Sequence, residues 1–315
     1  MLSLLIQRLL TAIPVLLGVS ILVFLMLHLT PGDPAQIMMS GGGAGGGGGG
    51  GASSESVDAL RRELGLDKPL WEQYVRWIGN VVQGDLGRSI WSKQPVTEMI
   101  RAQIKPTIQL TLAGLALAIT LGVVFGIIAA LKAHSWFDTL VMAVASLGVS
   151  MPTFWLGLML IFVFSLNLGW LPAIGTGGVK RLILPAITLG LDAAAIIARL
   201  VRSTMLEVMR QEYITTARAK GLRESVVVIR HALRNALIPV VTIIGLQFGA
   251  LLSGAVIIET VFARQGIGRL TITAINGKDF PLVQGIVLFV ATIYVFVNIF
   301  VDVLYGLLDP RIRRA

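Results

Sequence analysis

The stretch EYITTARAKGLRESVVVIRHALRNALIPVV, residues 212–241, is polar and basic where it begins and apolar where it ends. Residues 207–220 favour a helix, and Gly221 suits the left-handed position that follows a helix end. A second helix is predicted over about 224–236, with Pro239 in the first turn of the apolar segment that follows. Its apolar stripe is predicted from spacings of three and four residues to consist of Val226, Ile229, Leu233 and Ala236.

A solvated basic loop would explain the arginines of this stretch, but it would not explain two ordered short helices. Small residues that we expect to be exposed precede the glycine, namely Thr215, Thr216, Ala217 and Ala219. Small side chains allow the surface of another protein to come close to the backbone. We therefore interpret the stretch as a docking site for a partner.

The rest of the chain is dominated by long apolar runs. Of the 315 residues, 55% are hydrophobic and 14% are charged, whereas soluble domains carry about 25% charged residues. A membrane-spanning helix needs about 20 apolar residues. Six runs meet this length and predict a multi-span membrane protein: 9–29, 107–131, 139–166, 182–200, 237–258 and 282–301.

The distribution of lysine and arginine predicts which side each loop faces, because cytoplasmic loops carry an excess of both residues. If the N-terminus is cytoplasmic, the inner segments hold thirteen of these residues and the short outer loops hold five. The external loop 30–106 exceeds about 60 residues, a length at which loop charge has little influence on orientation. Both termini and the docking stretch are therefore expected inside.

The long external loop contains two predicted helices and one low-complexity segment. SSESVDALRRELGL (53–66) begins with serines that suit a helix N-terminus, and PLWEQYVRWIGNVV (69–82) follows it. The aromatic residues of the second helix either lie at the membrane interface or pack within a small helical cap. GGGAGGGGGGGA (41–52) is predicted to be a flexible linker, with an engineered or placeholder segment as the alternative.

Sequence motifs for nucleotide, metal and hydrolytic chemistry are absent. No G-x-x-x-x-G-K-[ST] loop occurs, so ATP binding through a P-loop is not expected in this chain. The histidines His28, His134 and His231 lie in separate segments and form no metal-ligand pattern. We expect no catalytic residue, cofactor or metal in the chain. The membrane rule for loop charges, rather than nucleic-acid binding, explains the net charge of +9.

An ordered series of motifs resembles the permease subunits of ABC importers. EYITTARAKGL followed by RHALRNALIPVV is similar to the cytoplasmic coupling segment, or EAA loop, of that family, above all in its peptide and nickel branch. Further matching motifs cover nearly the whole chain: LTPGDPA, LGLDKPLWEQYVRW, GDLGRSI, PTFWLGLMLI, ETVFARQGIGRL and VDVLYGLLDPRIR. Two features differ from the family: Pro239 follows Gly221 later than in the shortest form of the motif, and the glycine run replaces ordinary sequence.

The resemblance implies a type I ABC importer permease fold. This is an all-α membrane protein with six transmembrane helices, a large external loop after helix 1 and a cytoplasmic coupling loop between helices 4 and 5. It also implies a second homologous permease, two cytoplasmic ATPase subunits that bind ATP and Mg²⁺, and an extracytoplasmic substrate-binding protein. The residues that match the family's ATPase contacts are Glu212, Tyr213, Thr216, Ala217, Arg218, Ala219, Lys220 and Gly221. The implied location is the bacterial inner membrane, in contact with lipid.

One acidic residue, Asp192, lies within a predicted span. Ten residues at about 1.5 Å each separate it from Leu182 and place it about 15 Å deep, near the middle of a hydrocarbon core of about 30 Å. A carboxylate there costs about 2.5–3.5 kcal/mol and needs a partner or a wet cavity. Two hypotheses stay open: Asp192 lines a pathway and meets a cation such as a peptide amine, or it makes a structural hydrogen bond or ion pair between helices or is a protonated acid. Arg199 and Arg202 are expected to anchor the helix at the inner interface.

The predicted organisation has two regions. Residues 1–100 form an N-terminal span with its external loop domain, and residues 101–315 form a five-helix core that contains the coupling segment 207–237. The predicted function is to form half of the pathway for di- or oligopeptides, with nickel, glutathione or another small solute as alternatives on the same scaffold. A secondary transporter without an ATPase, and a membrane scaffold or sensor, are the hypotheses from other classes.

A cysteine-labelling experiment tests the orientation. Because the chain has no cysteine, Ser54→Cys and Ser225→Cys can be probed separately with a membrane-impermeant thiol reagent in intact cells. We expect labelling of Ser54→Cys, and protection of Ser225→Cys until the membrane is permeabilised, since the loop charges place these residues outside and inside. Labelling of Ser225→Cys alone would contradict this orientation.

Overall fold

The computed structural model of the chain describes residues 2–29, 35, 58, 61, 62 and 67–308. The chain forms two compact units. Unit 1 comprises Met1–Leu5, Lys105–Arg269 and Val297–Ala315, and unit 2 comprises Ile6–Ile104 and Leu270–Phe296. The glycine run, residues 30–34 of the LTPGDPA motif and most of the helix predicted over 53–66 lie outside the described residues.

The described secondary structure is almost entirely helical, and the helices are numbered here in chain order. The bounds are α1 Leu2–Leu29, α2 Leu70–Val82, α3 Val96–Leu131, α4 Trp136–Ser150, α5 Thr153–Leu160, α6 Lys180–Met209, α7 Glu212–Ala219, α8 Glu224–Val226, α9 Leu233–Val261, α10 Ile267–Asn276 and α11 Phe280–Leu308. α5 continues as a π-helix over Ile161–Asn167, and a second π-helix over Val227–Ala232 joins α8 to α9.

Five of the predicted spans are confirmed as helices, namely α1, α3, α6, α9 and α11. Among the described residues, five helices are long and apolar enough to cross a membrane, or six if one bent pair counts as a single span. Each observed helix is longer than the apolar run that predicted it. The reason is that hydropathy marks only the part of a helix that matches the lipid, whereas hydrogen bonding continues the helix into its polar flanks.

The remaining span, predicted as one helix over 139–166, was wrong in its geometry. α4 and the α5 segment meet at a bend of 107°. Pro152 stands at the break, and Met151 before it is extended, with φ −86° and ψ 130°. A proline disfavours the helical conformation of the preceding residue and has no N–H to continue the helix. An apolar count does not register this break, because the residues on both sides are equally apolar.

α3 and α6 approach each other closely within unit 1. A Cβ added at Gly122 would lie 2.7 Å from Ile197, and one added at Gly126 would lie 2.7 Å from Val201 and 2.8 Å from the carbonyl oxygen of Ala198. Side-chain carbons do not occupy such short distances, so only glycine permits this approach of the two backbones. Two small residues four positions apart are a common contact between membrane helices.

Glu259, in the last turn of α9, is fully buried and connects three helices of unit 1. Its carboxylate accepts hydrogen bonds from the Thr107 hydroxyl at 2.5 Å and from the Gly268 N–H at 2.8 Å. The Thr107 hydroxyl oxygen in turn accepts a hydrogen bond from the Ile267 N–H at 2.9 Å. Because Gly268 lies in the first turn of α10, the carboxylate also faces the positive end of that helix dipole. The buried carboxylate is therefore satisfied within the fold.

Unit 2 holds its segments together with a buried aspartate and a group of aromatic rings. Asp279 accepts hydrogen bonds from the Ser89 hydroxyl at 2.5 Å and from the Ile90 N–H at 3.1 Å. The ring of Phe24 in α1 lies 5.4 Å from that of Tyr74 in α2 and 6.0 Å from that of Trp77. Two aromatic residues predicted for α2 thus pack on α1. A further aromatic of this helix, Trp71, is 69% exposed.

The contact between α3 and α6 predicts that Gly126→Leu destabilises the protein. The added side chain overlaps Val201 and the α6 backbone, and overpacking of this kind costs about 1–3 kcal/mol or more. We expect the Tm of the detergent-purified protein to fall by about 4 °C or more. Gly18→Leu is the matched control, because a Cβ at Gly18 meets nothing within 4 Å. Equal Tm values for the two variants would contradict the close approach.

The network around Glu259 predicts a loss of stability in Glu259→Leu. The leucine fills the site but leaves the Thr107 hydroxyl and the Gly268 N–H without their acceptor, at about 1–3 kcal/mol for a buried polar group. Thermal unfolding of the purified protein measures the effect. Thr260→Ala, at the next and exposed position of α9, should melt like the wild type. A wild-type Tm for Glu259→Leu would mean that the carboxylate does not hold these helices together.

Candidate docking surface and pathway helix

The predicted glycine stop after α7 is confirmed. Gly221 has a φ of 76°, and its N–H donates a hydrogen bond to the Arg218 carbonyl at 2.9 Å. The Leu222 N–H donates to the Ala217 carbonyl at 3.4 Å, and these two bonds together are those of a Schellman motif. A Cβ at Gly221 would meet nothing within 4 Å. The stop therefore presents open space toward any partner.

The single helix predicted over 207–220 was wrong, because the structure divides it. α6 ends at Met209, α7 begins at Glu212, and Gln211 between them is extended, with φ −73° and ψ 147°. No glycine or proline marks this break in the sequence. The break turns α7 so that Ile214 is fully buried. Burial of this side chain outweighs the local helix preference of the joint, which propensity alone cannot reveal.

The second predicted helix, over 224–236, differs from the structure in two respects. It continues into α9 without an end, so Pro239 lies inside α9 rather than in the first turn of a new helix. The predicted apolar stripe was wrong at two of its four positions, since Val226 is 37% exposed and Ile229 is 66% exposed, whereas Leu233 and Ala236 do pack in or against the core. The buried positions are Val227, Val228, Ala232 and Ala236. The π-helix over Val227–Ala232 has a wider turn than an α-helix, and this changes which side chains face the core.

The residues predicted to contact the ATPases do not all lie on the surface. Ala217, expected to be exposed, is 7% exposed and packs in the same buried cluster as Ile214. Its small exposed fraction leaves little surface for a partner, and its contact with an ATPase stays a prediction. The other predicted contact residues are exposed: Glu212, Tyr213, Thr216, Arg218, Ala219, Lys220 and Gly221. We call the exposed residues between 212 and 235 the docking surface.

The docking surface combines large apolar side chains with basic ones. Its exposed apolar residues are Tyr213 at 41%, Leu222 at 40%, Val226 at 37% and Ile229 at 66%. Of these four residues only Tyr213 was among the predicted contact residues, and Val226 and Ile229 had been assigned to the apolar stripe. Apolar side chains grouped on a polar surface are typical of a protein–protein interface.

Two side-chain contacts connect α7 to the segment that follows it. The Arg218 guanidinium donates to both carboxylate oxygens of Glu224, at 2.7 and 3.1 Å, and this bond raises the pKa of Arg218. The Asn235 amide donates to the Tyr213 hydroxyl at 2.8 Å. Both contacts are exposed, so each contributes little stability by itself. They do fix the positions of Arg218 and Tyr213 on the docking surface.

Arg202 of α6, predicted to anchor the helix at the inner interface, is paired with an acidic residue of α4. Its guanidinium donates two hydrogen bonds to the Asp138 carboxylate, at 2.5 and 2.6 Å. Asp138 lies in the first turn of α4 and also accepts a hydrogen bond from the His134 N–H at 3.0 Å. These residues line a pocket of about 490 Å³. Arg202 is thus committed to joining α6 to α4, a role that spacing along the sequence did not indicate.

Asp192 is half-buried in α6, and one of its carboxylate oxygens, Oδ1, is buried without a hydrogen-bond partner. No ion pair within 4.0 Å involves Asp192 in the part of the chain that the structure describes. A structural contact within this chain therefore has no visible partner among those residues. A buried oxygen of this kind requires a donor, because an unsatisfied acceptor in a poorly hydrated place is costly.

Comparison with known proteins agrees with this geometry. Residues 122–314 match the family described as "Binding-protein-dependent transport system inner membrane component", and residues 1–111 match the family that describes the N-terminal part of the membrane component of such systems. The chain is 44% identical to the glutathione transport system permease protein GsiC of Escherichia coli O6:H1, over 99% of both chains. It is 45% identical to the dipeptide transport system permease protein DppB of Alkalihalophilus pseudofirmus, over 99% of this chain and all of that protein.

The fold also resembles that of a solved transporter. A chain of the MetNI methionine ABC transporter, solved in an inward-facing conformation, superposes with a TM-score of 0.59 at 18% identity, covering 67% of this chain and 96% of that one. The family match, the relatives and the helical architecture agree on one assignment. The chain belongs to the binding-protein-dependent transport system inner membrane components, the membrane-spanning permease subunits of ABC importers.

Proposed function

We propose that the chain forms half of an inward pathway for short peptides in the bacterial inner membrane. A second homologous permease supplies the other half, and two cytoplasmic ATPase subunits carry the ATP and Mg²⁺. A binding protein outside the membrane delivers the peptide. The relatives named for dipeptide and for glutathione are about equally similar to the chain. Glutathione is itself a tripeptide, so short peptides are the class that both names share.

The observation that carries this proposal is the rigid connection between the docking surface and α6. Only Arg210 and Gln211 separate α6 from α7. The buried residues of the same segment, including Ile214 and Val227, belong to the same cluster as Met205 of α6. A displacement of α7 by a partner therefore moves α6, because packed interiors transmit strain rather than absorb it.

The bent pair of helices is consistent with both termini lying in the cytoplasm. If α4 and the α5 segment together make one crossing, the chain crosses the membrane six times. An even number of crossings places the two termini on the same side, and the loop charges favour the inside. The docking surface then lies inside, within reach of ATPases, and the long loop 30–106 lies outside, within reach of a binding protein.

Transport follows from alternation between two arrangements of the permease pair. Closure of the ATPases on ATP pushes α7, and α7 carries α6 with it. The side chains of α6 that line the pathway are then accessible from the cytoplasm instead of from outside the membrane. This chain forms part of the pathway wall and transmits the movement of the ATPases through α7 to α6, and the ATPases hydrolyse ATP.

Gly221→Leu tests the docking surface. We expect the variant to insert and fold, because φ > 0 costs a side chain on the order of 1 kcal/mol and the added atoms enter open space. The same atoms project into the contact with a partner, where shape complementarity is required. Co-purification of the ATPases should fall, or ATP hydrolysis in proteoliposomes should no longer respond to the peptide-loaded binding protein.

Gly84→Leu is the matched control for this experiment. Gly84 also has a positive φ, 87°, with nothing within 4 Å of an added Cβ, but it lies between α2 and α3, in the loop expected outside the membrane. It should retain co-purification of the ATPases at the wild-type level. Wild-type behaviour of Gly221→Leu in both assays would show that this surface is not the coupling site.

A further inference from the structure

A polar stripe, interrupted by one isoleucine, runs along one side of α6, a helix whose other sides are mostly buried. Asp192, Ile196, Arg199 and Ser203 follow at spacings of four, three and four residues, which places them on one face. None of these residues is buried, whereas six of the eight positions between them are: Ala193, Ala194, Ala195, Ile197, Ala198 and Val201. A charged face on a spanning helix is costly in lipid, so it borders water or another protein.

The two charged residues of the stripe are available to a ligand. Asp192 has a buried oxygen without a partner, and Arg199 is exposed and makes no hydrogen bond or ion pair within the described residues. Arg202, one turn further along, is occupied by Asp138 at 2.5 and 2.6 Å. Arg199 is therefore the cation of this region that remains free to bind an anion.

The spacing of the two charges matches the two ends of a short peptide. Seven residues at about 1.5 Å each separate the Cα atoms of Asp192 and Arg199 by about 10 Å along the helix axis. Helix side chains lean toward the N-terminus of the helix, so the long Arg199 side chain brings its guanidinium closer to the Asp192 carboxylate than the Cα distance indicates. An extended chain spans about 3.3–3.6 Å per residue, so the ammonium and carboxylate of a di- or tripeptide fall about 7–10 Å apart.

We propose that Asp192 and Arg199 bind the opposite ends of a zwitterionic peptide, with its ammonium at Asp192 and its carboxylate at Arg199. This inference rests on the proposed function, because it requires peptides to pass along α6. The peptide then lies parallel to α6, amino end toward Leu182 and carboxyl end toward Met209. Charge complementarity favours this direction, since the reverse one sets like charges against each other at both ends.

The pair selects for free termini. Acetylation of the peptide amine removes the cation and leaves the Asp192 carboxylate without a partner. Amidation of the peptide carboxylate does the same to Arg199. Losing a hydrogen bond between two charged groups weakens binding more than losing one between neutral groups does. The permease thereby adds its own selection to that of the binding protein.

Transport by the complete importer in proteoliposomes tests the pair, with trialanine, N-acetyl-trialanine and trialanine amide as probes. Each variant's rate is divided by the wild-type rate for the same peptide, which cancels the preference of the binding protein. We expect Asp192→Asn to slow trialanine and its amide about tenfold, and N-acetyl-trialanine less than twofold. Arg199→Gln should slow trialanine and N-acetyl-trialanine about tenfold, and the amide less than twofold. Asp192→Glu and Arg199→Lys should recover part of the rate.

Ser203→Ala is the matched control, because Ser203 is exposed on the same face and uncharged. It should change all three rates by less than twofold. Equal slowing of the three peptides by Asp192→Asn, or loss of the assembled complex, would overturn the pair and assign Asp192 a structural role. A wild-type importer that carries none of the three peptides but does carry another solute would instead contradict the proposed function.

Photo-cross-linking tests the orientation of the peptide even if the importer transports neither N-acetyl-trialanine nor trialanine amide. Trialanine analogues with a diazirine side chain at the first or the last residue keep both termini free. During turnover, the first-residue probe should label α6 and its neighbours near Asp192, and the last-residue probe should label them near Arg199. The reverse order, or labelling without preference, would contradict the proposed direction of the peptide.

Discussion

The close approach of α3 to α6 is the constraint on which unit 1 depends. Lipid is as apolar as a leucine side chain, so membrane helices associate through tight packing rather than through removal of apolar surface from water. Gly122 and Gly126 permit that packing, because an added Cβ at either would lie 2.7 Å from an α6 side chain. α6 can then be buried by its alanines on one side while it keeps a polar stripe on another.

The acidic residues within or next to the spanning helices show how an unusual one can be recognised. Glu259 and Asp279 are buried, and both accept hydrogen bonds from hydroxyl and backbone N–H groups of neighbouring segments. Asp138 is paired with Arg202. Each of these three carboxylates is satisfied within the fold and has a structural explanation. Asp192 has a buried oxygen that the described residues leave without a donor, and this difference directs attention to a ligand or a partner chain.

The segment that carries the docking surface packs against α6 through one buried cluster, which includes Met205, Ile214 and Val227. Ile214 and Val227 are fully buried beneath the docking surface, whereas Leu222 and Ile229 remain exposed on it. A segment that only had to satisfy the loop-charge rule would need neither the buried anchors nor the exposed apolar side chains. This combination suits a segment that transmits movement, because its buried side chains attach it to α6 and its exposed apolar side chains can be covered by a partner.

The sequence by itself determined the membrane class, the location of five of the six spanning segments as helices and the glycine stop at Gly221. These features depend on local properties: the length of apolar runs and the preference of glycine for φ > 0. The sequence also carried the motif series that identified the family. All of these signals can be read from residues within a few turns of one another.

Only the tertiary structure decided which side chains of these elements face the core. The π-helix over Val227–Ala232 exposes Val226 and Ile229, and the joint at Gln211 buries Ala217. The burial of Glu259 likewise depends on Thr107, which lies 152 positions away in the chain. Propensity and hydropathy act within a few residues, whereas each of these outcomes is set by packing against distant segments, where burial outweighs local preferences of about 1 kcal/mol.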